Sequence, residues 1–517
     1  MTAVIDKAKP LFEGAEWDYD KLRRAYDAIE EIALKELGLS VYTNQIEVIT
    51  SEQMLDAYAS TGMPLFYKHW SFGKHFVQEE SLYRKGYRSL AYEIVINSNP
   101  CISYIMEENT MTMQTLVMAH AAFGHNHFFK NNYLFKQWTD ADGILDYLDF
   151  AKSYIAQCEE RYGLSRVERV LDAAHALMSH GVFTAPRRRA LDLRLEQKRE
   201  QEREAHREAL YNDLWRTVPT KAATPAAASA ERERRRKLLD LPQENLLYFL
   251  EKSAPRLESW QRELLRIVRN VAQYFYPQRQ TKVMNEGCAT YVHYRIMSRL
   301  HETGRITDGS WLEFLHSHTS VIMQPEFDDQ RYGGFNPYAL GFAMCQDLER
   351  IATHPTAEDR EWFPDIAGSG DPMAVLRDAW ANFRDESFVL QCLSPALIRK
   401  FRLFHVHDDA SRPTLEVAGI HDERGYRSVR RTLARQYDIA YLHPDIQIVD
   451  VDLTGDRKLM LEYRARDGIL LEEADTRAVL QHLADLWGYE VVLEEIDRDS
   501  GGRLKKHVVG PRHLIGS

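Results

Sequence analysis

The sequence lacks the cysteine patterns that mark zinc ribbons and disulfide-rich secreted proteins. Its five cysteines are odd in number, widely scattered and never arranged as CxxC. Zinc ribbons need such pairs, and a disulfide framework needs an even set of cysteines at regular spacings. We therefore expect a protein of the reducing cytoplasm, where thiols stay free.

Long apolar runs are absent as well. No run of about 18 or more apolar residues occurs, so we expect no membrane-spanning helix. The opening residues MTAVIDKAKPLFEGAEW hold no apolar core of the kind that secretory signals carry, and we expect no such signal. The sequence also contains no internal repeat and no glycine-rich phosphate loop of the GxGxxG or GxxxxGKS type.

The sequence has fewer positively charged than negatively charged residues. The 66 lysines and arginines are outnumbered by 77 aspartates and glutamates, which gives a formal net charge of -11 and a pI of about 6.0. Binding to phosphate backbones needs a net basic face, so this balance argues against a general nucleic-acid binder.

What the chain does contain is an ordinary soluble composition over 517 residues, with 44% hydrophobic and 28% charged residues. That length is too great for one core and predicts two or three domains. We expect an α+β fold, with a large, mainly helical N-terminal domain and a smaller C-terminal α+β sandwich domain.

Composition and periodicity divide the chain into four regions. Residues 1–185 form the first part of the helical domain, with one or more strands, and residues 238–385 form its second part. For residues 186–237 we predict a charged helix and a flexible linker. The segment RRRALDLRLEQKREQEREAHREAL is nearly all charged and has few apolar residues at helical spacing. Residues 386–517 predict the C-terminal α+β domain, in the order β-β-α-β-β-α-β.

One strand and one helix are expected close to the most informative motif. The segment LAYEIVINSNP, residues 90–100, predicts a strand because it is rich in β-branched and aromatic residues and ends in turn residues. Asn99 and Pro100 are typical of a helix start. We therefore expect a mostly buried helix from there to about Phe129, with a break near Asn109.

Three histidines lie toward the end of that predicted helix. They are His120, His125 and His127 in VMAHAAFGHNHFF. At about 100° per residue, His120 and His127 lie about 20° apart and share a face. His125 falls about 140° from His120 and points elsewhere, unless the helix ends or bulges there.

A second motif, NEGCATYVH, places Glu286 and His293 seven residues apart on another buried helix. The predicted metal ligands are His120, His125, His127, Glu286 and His293, and no catalytic residue is assigned. Two such helices could hold a divalent ion, either zinc or a redox metal such as iron or manganese. If the His120 and Glu286 side chains were more than about 8 Å apart, one ion could not bridge them with bonds of about 2 Å each.

Other interpretations of these histidines and of the remaining ones stay open. Each histidine could simply satisfy a backbone carbonyl or a tyrosine in the core. A carboxylate-bridged pair of metals, built from Glu168, Asp172 and His175 on another helix together with Glu286, is a further option because the aspartate and histidine are three residues apart. A structural role is expected for His175 and His180, and surface positions are expected for His316 and His318 and for His405 and His407.

Comparison with the HExxH zinc proteases is instructive. Such enzymes place a glutamate directly after the first histidine and the second histidine four residues after it. Here Ala121 and Gly124 occupy those positions, although Glu286 resembles the later glutamate ligand. A zincin-like arrangement therefore lacks its usual base, which Glu107 or Glu108 could replace only if the fold brings one of them back.

Several long stretches resemble the stage V sporulation protein R (SpoVR) family. They are YEIVINSNPCISYIMEENTMTMQTLVMAHAAFGHNHFFKNNYLFKQWTDA, DYLDFAKSYIAQCEERYG, LDAAHALMSHGV, MNEGCATYVHYRIM and GFNPYALGFAMCQDLERI. The family is named for spore cortex formation, occurs also in bacteria that do not sporulate, and has no established activity or agreed catalytic residues. The resemblance implies a stress-response setting beside a PrkA-type serine protein kinase and a von Willebrand A-like protein.

Two functions follow as hypotheses. The first is a cytoplasmic metal-dependent protein, for example a hydrolase, in a stress or sporulation-type pathway. The second is a non-enzymatic regulatory or scaffold protein whose C-terminal domain binds a partner such as the kinase.

Overall fold

The computed structural model describes residues 9–59, 67, 69, 93–184, 236, 239–326, 329, 331–407, 411–414, 416–419, 421–451, 455–466 and 468–512. The predicted charged helix and linker at residues 186–237 lies outside the described residues, apart from Arg236. Among the helices that are described, none is both long enough and apolar enough to cross a membrane.

The chain divides into two compact units, each built from two separate segments. The first unit comprises Met1–Lys152 and Tyr276–Leu442, and the second comprises Ser153–Phe275 and His443–Ser517. Residues up to Leu442 cluster with the first unit, and the domain boundary between residues 385 and 386 stays a prediction from sequence.

The α-helices are numbered here in chain order. They are α1 (Tyr19–Glu31), α2 (Ser51–Ala59), α3 (Met111–Met118), α4 (Asn126–Asn131), α5 (Tyr133–Trp138), α6 (Ile144–Tyr162), α7 (Leu164–Ala176), α8 (Leu246–Ser253), α9 (Ser259–Gln280), α10 (Lys282–Glu302), α11 (Asp308–Val321), α12 (Pro337–Thr353), α13 (Ala357–Trp362), α14 (Pro372–Asn382), α15 (Asp385–Cys392), α16 (Pro395–Lys400), α17 (Glu423–Tyr437), α18 (Ile439–Leu442) and α19 (Glu473–Trp487). Two segments are π-helical, π1 (Ile32–Glu36) and π2 (Ala119–His125), and Met178–His180 is a 3₁₀ turn.

The strands are β1 (Asn44–Ile49), β2 (Glu93–Ile96), β3 (Cys101–Met106), β4 (His405–His407), β5 (Glu416–Gly419), β6 (Ile446–Val451), β7 (Leu459–Ala465), β8 (Val491–Asp497) and β9 (Arg503–Val509). In the first unit β3 lies between β1, which is parallel to it, and β2, which is antiparallel. There β4 and β5 also form an antiparallel pair. In the second unit the sheet order is β6-β7-β8-β9, and α19 connects the parallel strands β7 and β8.

The mixed α+β class expected from sequence is confirmed. Along the C-terminal region the predicted strands and the two predicted helices occur in the expected order. The structure adds the short helices α15, α16 and α18 and one further strand, β9, that the sequence pattern did not reveal. The predicted strand before Asn99 corresponds to β2.

The helix predicted to start at Asn99 and Pro100 is wrong at its beginning. Residues Cys101–Met106 form β3, whose side chains are all buried in the middle of the three-stranded sheet. A strand buried on both faces has a continuous apolar run, which periodicity alone cannot distinguish from a buried helix. The helix α3 begins only after Thr110, whose side chain accepts a hydrogen bond from the N–H of Met113.

Close packing between helices positions the functional region of the first unit. Helix α10 packs against both π2 and α12. A methyl group added at Gly124 of π2 would lie 2.5 Å from Cα of Ala289 in α10, and one added at Gly287 of α10 would lie 2.6 Å from the backbone of Gly341 in α12. Glycine is therefore required for these three backbones to approach as they do.

Candidate metal centre

The π-helical segment π2 brings two histidines to one side of the chain. In a π-helix each N–H bonds to the carbonyl five residues earlier, as the N–H of Asn126 does to Ala121. Residues five apart then lie on nearly the same face, which is the relation between His120 and His125. Their rings meet edge to face with centroids 4.6 Å apart.

Each of these imidazoles is held through its Nδ1 atom. His125 Nδ1 lies 2.9 Å from Oδ1 of Asn285, which can only accept, so His125 carries its proton on Nδ1. His120 Nδ1 lies 2.9 Å from Nδ1 of His293. Metal-binding histidines are usually held in this way, with one nitrogen bonded to a neighbour and the other directed at the ion.

The two Nε2 atoms face two carboxylates. Glu286 Oε2 lies 3.8 Å from His120 Nε2 and 3.7 Å from His125 Nε2, and Glu93 Oε1 lies 3.6 Å from His120 Nε2. Ligand atoms of Glu93, His120 and His125 all lie within 4.8 Å of one another. The histidine side chains are 5% and 8% exposed and the carboxylates 15% and 16%, so the cluster is open to solvent mainly beside the carboxylates.

These distances suit a small cation better than direct hydrogen bonds. Two ligands that each bind tetrahedral zinc at about 2.0–2.1 Å are about 3.3–3.4 Å apart, a few tenths of an ångström below the separations found here. Glu286 Oε2 is buried and has no hydrogen-bond partner. A buried carboxylate oxygen without a partner is costly, and a bound cation would remove that cost.

The two imidazoles differ in their pKa values. Burial lowers the pKa of His125 to about 4, with the charge of His120 adding to the effect, so this ring is neutral and offers a lone pair. Burial acts to lower the pKa of His120 too, but its interaction with the Glu286 carboxylate and the negative charge of Glu93 raise it overall. The surroundings of His120 thus favour a positive charge on its ring, whereas those of His125 disfavour one.

The two carboxyl groups also differ. Burial acts to raise the pKa of Glu286, yet the histidines and a hydrogen bond from Tyr338 of α12 lower it overall, which favours the carboxylate. Burial raises the pKa of Glu93, although the nearby His120 opposes this. Carboxyl groups whose pKa values are pushed apart in one site can take different chemical roles.

The structure brings together three of the five predicted ligands, His120, His125 and Glu286. The 3.8 Å between His120 and Glu286 is well inside the separation that would have excluded a shared ion. His293 contacts His120, but its Nδ1 and Nε2 are both engaged by neighbouring histidines. His127 faces away from the cluster, because its Nδ1 lies 3.0 Å from the backbone of Ser40.

Sequence reasoning did not identify several contributors. Glu93 was missed, although a carboxylate inside an apolar strand that precedes the histidine helix was a usable signal. The prediction of a surface position for His318 is wrong: this residue is 4% exposed and lies 2.9 Å from His293. The helix face of α11 that carries it packs inward, whereas His316 is exposed as predicted.

Other sequence candidates lie elsewhere. Glu108, considered as a substitute base, is exposed and accepts a hydrogen bond from the backbone N–H of Ser51. The second unit contains α7, which carries Glu168, Asp172 and His175.

Comparisons with known proteins cover nearly the whole chain. A family model described as "SpoVR like protein" matches residues 16–442, and one described as "SpoVR-like C-terminal domain" matches residues 444–498. The chain is 54% identical over 489 residues to a protein of Escherichia coli (strain K12) named "Uncharacterized protein YcgB". The aligned region covers 95% of this chain and 94% of that protein. No solved structure matches the chain.

Proposed function

The chain belongs to the SpoVR family, and we propose that its first unit binds a divalent metal ion through His120, His125 and Glu286 and uses it for hydrolysis. The observation that carries this proposal is the buried, unpartnered Oε2 of Glu286, which lies 3.7–3.8 Å from two imidazole nitrogens. Three protein ligands with a fourth position left for water are typical of catalytic zinc sites. The same donor set also suits iron or manganese.

Glu286 and Glu93 receive different roles in this scheme. Glu286 approaches both imidazoles and is kept as a carboxylate, as a ligand requires. Glu93 approaches His120 from strand β2, and its raised pKa suits a group that takes and returns a proton. A bound zinc ion lowers the pKa of its water to about 7, so that a weak base suffices to activate it.

The arrangement supports an analogy with zinc proteases, with two differences. Two histidines on one helical segment and a glutamate from a later helix are common to both. Here the histidines are five residues apart on a π-helical turn, and the candidate base comes from a strand instead of the residue after the first histidine. The missing glutamate at position 121 is thus compensated by Glu93 in our proposal.

The first test is metal content, measured by mass spectrometry on protein purified without a metal-binding tag. We expect near-stoichiometric metal in the wild type, loss of metal in His120→Ala and Glu286→Gln, and retention in Glu93→Gln. Glu108→Gln, an exposed glutamate outside the cluster, is the matched control. A metal-free wild type, with all variants folded, would contradict the proposal and favour a regulatory or scaffold protein that works with a PrkA-type kinase.

Hydrolysis is tested separately on the metal-loaded protein, with peptide and ester libraries as substrates. Glu93→Gln is expected to keep the metal and lose activity, by about 100-fold or more if Glu93 is the general base. If Glu93→Gln and wild type showed equal rates, Glu93 would not be the base.

A further inference from the structure

Three buried histidines form a hydrogen-bonded series that starts at the candidate metal centre. His120 Nδ1 lies 2.9 Å from His293 Nδ1, and His293 Nε2 lies 2.9 Å from His318 Nδ1. Each of the three residues is 4% exposed. The series links π2 through α10 to α11, and we call it the histidine relay (His120, His293 and His318).

Aromatic rings surround the far end of the histidine relay. His318 stacks on Tyr294 and Phe314, with centroids 5.2 Å and 5.4 Å away, and meets Phe342 edge to face at 4.8 Å. These contacts fix the plane of the His318 ring and therefore the direction of its Nδ1 atom.

The relay can have only one direction if His120 binds a metal. A neutral imidazole has one N–H and one acceptor nitrogen. When His120 Nε2 binds the ion, its proton is on Nδ1 and is donated to His293 Nδ1. His293 must then carry its own proton on Nε2, which is donated to His318 Nδ1.

We propose that His318 is a positioning residue of the metal centre, which acts through His293 to hold His120 with Nε2 directed at the ion. This inference rests on the proposed metal site. Partners behind a metal-bound histidine typically contribute about 10-fold to 100-fold in metal affinity. His318 is thus expected to influence an ion that it does not touch.

The test compares zinc affinity, measured by competition with a chelator, among substitutions on α11. His318→Phe keeps an aromatic ring in the same surroundings but cannot accept a hydrogen bond, and we expect about 10-fold weaker binding or more. His318→Asn places an amide oxygen close to the former Nδ1 and should restore most of the affinity. His316→Phe, an exposed site two residues earlier on the same helix, should leave it unchanged.

A spectroscopic readout separates positioning from general packing. With cobalt in place of zinc, His318→Phe should shift the visible absorption bands because the His120 ligand is no longer held, whereas His316→Phe should not. Wild-type affinity and spectrum in a folded His318→Phe protein would overturn the inference. Absence of zinc binding in the wild type would instead contradict the proposed metal site itself.

The relay can also be tested in the wild type, should His318→Phe not fold. Nitrogen NMR of the histidine rings distinguishes protonated from unprotonated nitrogens in the zinc-loaded protein. We expect His293 to carry its proton on Nε2 and to accept at Nδ1. A proton on Nδ1 of His293 would overturn the inference.

Discussion

Each of the two units contains a buried histidine beside a glutamate, and the two arrangements differ. In the second unit His507 Nε2 lies 2.7 Å from Glu495 Oε1, and the other oxygen of Glu495 accepts from the backbone N–H of Leu471. In the first unit Glu286 lies 3.7–3.8 Å from two imidazoles and its Oε2 has no hydrogen-bond partner.

The difference separates a satisfied structural pair from an open site. Glu495 and His507 are hydrogen-bonded directly to each other, so this pair needs no ion or water between its two side chains. In the first-unit cluster the nitrogen and oxygen atoms lie 3.6–3.8 Å apart, close to the separation of two ligands of one cation. Both regions place a buried histidine beside a glutamate. The candidate metal centre differs in its longer nitrogen–oxygen distances and in the Oε2 atom of Glu286, which has no hydrogen-bond partner.

The largest expected effect is on metal affinity. His120→Ala removes one of three proposed ligands and should lower zinc affinity by more than about 100-fold, since outer partners alone are worth up to that much. His507→Ala removes the histidine of the satisfied pair and should leave zinc affinity unchanged. Zinc affinity is measured by competition with a chelator. An equal loss of affinity in both variants would contradict the difference between the two regions.

The next effect is on stability without metal, measured by urea unfolding. Glu495→Leu leaves His507 Nε2 and the backbone N–H of Leu471 without their partner and should cost about 1–3 kcal/mol of unfolding free energy for each buried group left unpaired. Glu286→Leu removes a carboxylate whose Oε2 has no hydrogen-bond partner, so the metal-free protein should lose less stability than Glu495→Leu does. A large loss in Glu286→Leu would show that Glu286 is already a structural partner.

A smaller effect concerns the close approach of the helices. Gly287→Ala places a methyl group 2.6 Å from the Gly341 backbone and should cost about 1–3 kcal/mol as α10 and α12 move apart. Zinc affinity should fall with it, because Glu286 is the preceding residue. Gly309→Ala on α11, where the nearest atom is 3.7 Å away, is the control and should leave both the melting temperature and the affinity close to wild type.

The smallest effect is a dependence of stability on pH. The pKa of His120 is raised in the folded protein, so its contribution is fully present below about 6.5, its unfolded value, and is lost as pH rises through the folded pKa. Metal-free protein should therefore lose stability over this window, whereas stabilisation by added zinc should increase as the proton leaves. Melting curves at several pH values, with and without zinc, check this, and parallel trends would contradict it.

Part of this site could be predicted from sequence because spacing reports on regular helices. Glu286 and His293 lie on a regular α-helix, and the histidine-rich segment was recognisable from its apolar surroundings. The pairing of His120 with His125 depends on a π-helical turn, for which an α-helical projection gives the wrong angle. That projection favoured His127, which contacts Ser40 instead.

The remaining parts depend on long-range contacts that a local pattern does not contain. Glu93 reaches the site because β2 pairs with β3, and β3 itself resembled a helix by periodicity. His318 and His316 are two residues apart on α11, and only tertiary packing decides which of them is buried. In the same way, the glycines at 124, 287 and 341 acquire their meaning only once three helices meet.

The most direct measurement is an anomalous scattering map from crystals grown with zinc, recorded at the zinc absorption edge. We predict one strong peak about 2.0–2.2 Å from Nε2 of His120, Nε2 of His125 and a carboxylate oxygen of Glu286. No peak is expected at the Glu495 and His507 pair. A map without a peak between the two histidines, or with Glu286 hydrogen-bonded directly to His120 in its place, would contradict the account.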